Sequence, residues 1–105
     1  MDIYLKILNE SGVPYPMKSP DDIVVDLPHS FGGSLSKTMK SGDIQIINEE
    51  HGEIRVTLTD FEVQGLKTGD NQDIIAHLIE GSNHFDILFE RALTVKMDGD
   101  LKYIV

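Results

Sequence analysis

Apolar and polar residues alternate along much of this chain, most regularly between Gly42 and Val95. From Glu53 to Asp60, Ile54, Val56 and Leu58 fall on one side and Arg55, Thr57 and Thr59 on the other. A period of two marks a strand with one face in a core and the other in solvent. Ile44 to Asn48 reads as its hairpin partner, joined through Glu49-Glu50-His51-Gly52-Glu53, a loop of suitable length with a glycine inside it. Gln72 to Glu80 and His84 to Glu90 predict a second hairpin across Gly81-Ser82-Asn83. Leu93, Val95 and Met97 continue its inward face, and Asp98-Gly99 turns the chain into a last strand over 101–105.

The first forty residues are less regular. Ile3, Leu5 and Ile7 predict an opening strand, Asn9 to Gly12 a turn, and Val13 to Met17, with two prolines, an edge segment or loop. Ile23 to Leu27 predicts a strand ended by Pro28. From 28 to 41, Gly32-Gly33 and four serines predict a long mobile loop, with room for a short strand around Leu35 to Met39. Phe61 to Asn71 is a linker with space for one helical turn, and Gly65 and Gly69 are its expected positive-φ positions. Counting by twos from Phe85 puts Arg91 in the core, where an unpaired guanidinium costs several kcal/mol, so a bulge is expected near Glu90-Arg91-Ala92. Short strands at this spacing predict one all-β domain over 1–105, an immunoglobulin-like antiparallel β-sandwich of about seven strands.

Composition narrows the function more than it defines it. Eighteen acids against nine bases leave a net charge of −9, which repels nucleic acid and anionic membranes; it is read first as a means to solubility, with a basic partner as the sharper alternative. Without cysteine the chain has no disulfide and no thiolate ligand or nucleophile. No run is apolar enough for a membrane helix, and the opening MDIYLKILNE lacks a basic signal-peptide start, so synthesis and retention in a cytoplasm up to any assembly step are expected.

Candidate chemistry is thin. His77 and His84 lie on the two arms of one hairpin, but zinc needs further ligands from elsewhere, so rim histidines are expected and no metal site. Asp70-Asn71-Gln72-Asp73 and Asp98-Gly99-Asp100 lack the order of a calcium loop and read as turns. Gly32-Gly33 lacks the lysine of a phosphate loop, no serine stands in a nucleophile elbow, and no cofactor or catalytic residue is expected. The chain is therefore read as a non-enzyme.

Ile75 and Ile79 stand opposite Ile74, Ala76 and Leu78, which makes that strand apolar on both faces and points to a subunit contact. Ile75, His77 and Ile79 are the candidate interface on the sheet, with Phe31 and Leu35 on the preceding loop.

A resemblance adds a setting. The order "SGVPYPM", a strand ending near Asn48, "GEIRVTLTD", "GLKTG", a hairpin and a closing "ALTV" resembles the small immunoglobulin-like modules of tailed bacteriophages, found in baseplate, tail, fibre and head accessory proteins. The chain departs from them at Asn71, where an aromatic is usual after the "GLKTG" step, and at Ala92, where glycine is common. The resemblance implies a virion structural or accessory protein, assembled in the host cytoplasm, that docks onto other virion proteins or onto itself. The alternatives are a carbohydrate- or ligand-binding β-module, for which the seven aromatics and absent tryptophan leave little platform, and an acidic inhibitor of a basic partner.

Overall fold

A computed structural model describes residues 1–9, 11–96 and 101–103. It contains eight strands and one short helix: β1 (Asp2–Lys6), β2 (Asp22–Pro28), β3 (Ser34–Thr38), β4 (Ile44–Asn48), β5 (Glu53–Thr57), α1 (Asp60–Gln64), β6 (Gly69–Glu80), β7 (Asn83–Val95) and β8 (Leu101–Tyr103). Two antiparallel sheets pack as a sandwich, the smaller in the order β1-β5-β4 and the larger in the order β3-β2-β6-β7-β8. The all-β sandwich expected from the alternation is the fold. Met97, the turn at Asp98-Gly99 and the end of the last predicted strand lie outside the described residues.

The core lies between the sheets and is built by the predicted alternation. Ile3 and Leu5 from β1, Ile54 and Val56 from β5, and Ile44 from β4 meet Ile23, Val25 and Leu27 from β2 and Ile74, Ala76 and Leu78 from β6, all buried. Register fixes which face goes inside: Ile3 sits opposite Val56 and Leu5 opposite Ile54, while Val25 sits opposite Ala76 and Ile23 opposite Leu78. A slip of one residue in any pair would turn charged side chains inward, so burial holds the pairing in place.

Three expectations need correction. Within the long loop expected over 28–41 the short strand around Leu35 to Met39 is present as β3, and it makes the segment a hairpin, pairing with β2 from Val24↔Thr38 to Pro28↔Ser34. Its alternation was masked because Leu35 and Met39 share the inward side with Lys37, a charge where an apolar residue is expected. Gly65 has φ −82 and serves as the helix C-cap, its N–H bonded to Phe61 and Glu62 carbonyls, and Gly69 already belongs to β6. The positive φ in this region falls on Asn71 at 53°, a residue type that tolerates it.

The bulge near Arg91 is present and larger than a single insertion. Phe89 lies opposite Ile74 and Leu93 opposite Gln72, so β7 spends four residues where β6 spends two. An excess of two preserves parity, which is why Phe89 and Leu93 both point inward while Arg91, at φ 53, is carried out to solvent. Asp73 Oδ1 holds the bulge by accepting from the Arg91 N–H at 2.9 Å.

Candidate functional site

The flanks of the sandwich differ, because each is bounded by one edge of each sheet. On the first flank β3 stands near β4, and Lys37 reaches from β3 across the gap. Its side chain is almost fully buried, with the ammonium 2.6 Å from Glu62 Oε2 on α1 and 3.3 Å from Asp43 Oδ2 just before β4. Burial pulls the Lys37 pKa down, but hydrogen bonds and charge from Glu62 and Asp43 outweigh it and leave it raised. Glu62 is lowered, chiefly by Lys37, and Asp43 is lowered, first by the Ser41 hydroxyl and then by Lys37. Glu62 also completes a capping box with Thr59, accepting from the Thr59 N–H while Thr59 Oγ1 accepts from the Glu62 N–H. Helix, strand and loop are thereby tied across one seam, and this flank is closed.

On the other flank β7 stands near β1, and among the described residues no buried charge crosses it. Among the described residues β1 pairs only with β5, and β7 from Asn83 to Phe89 pairs only with β6, since β8 reaches only Leu93 to Val95. Two strand edges therefore border a groove of about 620 Å³. Its walls are mainly apolar: Ile7 and Leu8 on one side, Phe85, Ile87 and Phe89 on the other, with Leu78 below. Leu8 and Phe85 are each more than two-fifths exposed. Tyr15 stands beside Phe85, ring centroids 6.3 Å apart, and donates its hydroxyl to Glu80 Oε1 at 2.8 Å. That bond to a carboxylate, followed by burial, raises the Tyr15 pKa.

The outer face of the large sheet carries a third arrangement. Successive cross-strand rows read Ser36–Asp26–Ile75–Leu88, then Thr38–Val24–His77–Asp86, then Asp22–Ile79–His84. His77 is central to it. Its Nε2 lies 2.8 Å from Asp26 Oδ2 and its Nδ1 lies 2.6 Å from Asp86 Oδ1. His84 Nε2 lies 3.3 Å from that same Nδ1 and 3.0 Å from Asp86 Oδ1. Burial works against charging His77, but the bonds to Asp86 and Asp26 outweigh it and raise its pKa. Asp86 is lowered, first by His77.

Of the residues singled out in the sequence, Ile75, His77 and Ile79 share this outer face as expected. Phe31 stands almost fully exposed in the β2–β3 turn, its ring 5.8 Å from His29. Leu35 is different: it packs against the core beside Leu27, because it occupies an inward position of β3. Comparison with protein-family models, curated proteins and solved structures finds no match for this chain. The functional reading therefore rests on the geometry and on the sequence resemblance alone.

Several contributors were not singled out from the sequence. The β1–β7 groove depends on how far two sheets stand apart, which no local pattern encodes. Asp86 could have been found, since it lies two residues from His84 and opposite His77 in the predicted hairpin. Asp26 could not, being 51 residues from His77.

Proposed function

We propose that this chain is a docking module of a bacteriophage virion, a structural or accessory component that binds by accepting an extended segment of another subunit along its open flank. The groove between the β1 and β7 edges carries this reading. An added strand satisfies its own backbone groups on a free edge while alternate side chains enter apolar pockets. The free edge of β7 and the row Phe85, Ile87, Phe89 offer both requirements side by side.

Charge selects the kind of partner. A net charge of −9 opposes close approach of a second copy and favours a segment that combines apolar residues with lysine or arginine. The sequence resemblance supplies the virion setting.

The test is incorporation into particles released by cells that carry the gene. Phe85→Asp is expected to leave the isolated protein folded and to remove it from purified particles, while Thr57→Asp on the outer face of the small sheet is retained. Particles that keep the Phe85→Asp chain at the wild-type level would overturn the groove, and particles that never contain the wild-type chain would overturn the virion role.

A further inference from the structure

The geometry of the outer face points to a metal site: we infer that His77 Nδ1, His84 Nε2 and Asp86 Oδ1 together bind a divalent ion of the zinc, nickel and copper(II) class. These atoms stand 2.6, 3.0 and 3.3 Å apart, a triangle small enough that one point just above its plane lies about 2 Å from all three. That distance matches the bond zinc forms to imidazole nitrogen or carboxylate oxygen, about 2.0 to 2.2 Å. Two imidazoles and a carboxylate suit this group of ions, whereas calcium and magnesium favour all-oxygen sets.

The sheet itself produces the convergence. His77 faces Asp86 directly across β6 and β7, and His84 is two residues before Asp86 on the same face of β7. Three donors therefore meet without any loop being ordered to bring them together.

Asp26 gives the second, independent reason. It lies 2.8 Å from His77 Nε2 on the side away from the triangle, and it is itself held by the Ser36 hydroxyl at 2.5 Å. With the ring proton on Nε2 and directed to Asp26, the lone pair of Nδ1 points at Asp86 and His84. A carboxylate behind a histidine is the usual means of fixing the tautomer of a metal ligand. His84 Nε2 lies 3.0 Å from Asp86 Oδ1 and 3.3 Å from His77 Nδ1, so both imidazoles converge on one carboxylate oxygen.

With three protein ligands and His84 and Asp86 both well exposed, the fourth position opens to solvent. The site takes water there, or a side chain from a docked molecule. Asp86 also borders the groove, but His77 and His84 do not line it, and the site uses none of the groove's apolar wall.

The experiment is calorimetric titration of the full chain with zinc chloride, followed by cobalt(II) substitution and visible absorption. One equivalent is expected to bind saturably, cobalt is expected to show the intense d–d bands of a tetrahedral N/O site, and calcium is expected not to compete. His84→Ala and Asp86→Asn each abolish binding, His51→Ala leaves it unchanged, and Asp26→Asn, which removes no ligand, weakens it by about 10- to 100-fold. Circular dichroism identifies any variant that has lost its fold. No saturable binding to the wild-type chain, or binding that survives His84→Ala and Asp86→Asn in folded protein, would overturn the assignment.

Discussion

The two flanks of this sandwich solve one geometric problem differently. Any two open sheets leave unpaired strand edges and a gap at each side. At the β3/β4 flank the gap is crossed by Lys37, whose ammonium meets Glu62 and Asp43, and α1 is fastened there by its capping box. At the β1/β7 flank the corresponding space is a groove walled by apolar side chains, of which Leu8 and Phe85 are half-exposed. The closed flank places a costly charge in a buried position and pairs it with two carboxylates. The open flank leaves apolar area and backbone edge unsatisfied, which isolated folding does not require and association does.

If that contrast is right, changes on the closed flank damage stability more than changes on the open flank. The largest effect belongs to Glu62→Ala, which leaves the buried Lys37 with only Asp43 and removes half of the capping box; a loss of about 2 to 3 kcal/mol in urea unfolding is expected. Adding Lys37→Met removes the stranded charge and is expected to recover more than half of that loss. The same flank sets an acid limit. Glu62 and Asp43 have depressed folded-state pKa values, so their contribution is fully present above their ordinary values of 4.5 and 3.8 and is lost as pH falls through the lowered ones. The urea midpoint of the wild type is expected to drop steeply below about pH 4.5, and Glu62→Ala to flatten that drop.

On the open flank Tyr15→Phe deletes the hydroxyl bond to Glu80 and is expected to cost about 1 kcal/mol. Arg91→Gly sharpens the picture of the bulge just beyond the groove. Relief of a left-handed φ in a side-chain-bearing residue is expected to stabilise the fold by about 0.5 to 1 kcal/mol, read from the thermal midpoint. Phe85→Ser and Leu88→Ser, at two of the more exposed apolar positions of β7, are expected to shift stability by less than about 1 kcal/mol. A loss near 3 kcal/mol at Phe85 would make the groove wall part of the core and erase the contrast.

Much of the closed architecture could be read from the chain. Alternation placed Ile3, Leu5, Ile54, Val56, Ile74, Ala76 and Leu78 inside, and the parity conflict at Arg91 located the bulge, because burial imposes a strict period of two. Thr59-Asp60-Phe61-Glu62 carries the Thr-x-x-Glu signature of a capping box, a local signal that fixes where α1 starts. Lys37 was opaque, since its burial depends on Glu62, 25 residues on, and on a neighbouring loop. The site was legible only in part. His77 and His84 share a hairpin and could be paired from sequence, whereas Asp26 and the groove exist only once distant strands are laid side by side.

The most direct test is photo-crosslinking from a benzoylphenylalanine placed at Phe85 in assembled particles, with the same probe at Thr57 as the reference. The account predicts a discrete crosslink to one other subunit from Phe85, mapping to an extended segment that carries basic residues, and none from Thr57. Crosslinks from Thr57 with none from Phe85 would contradict it, placing the contact on the outer face of the small sheet.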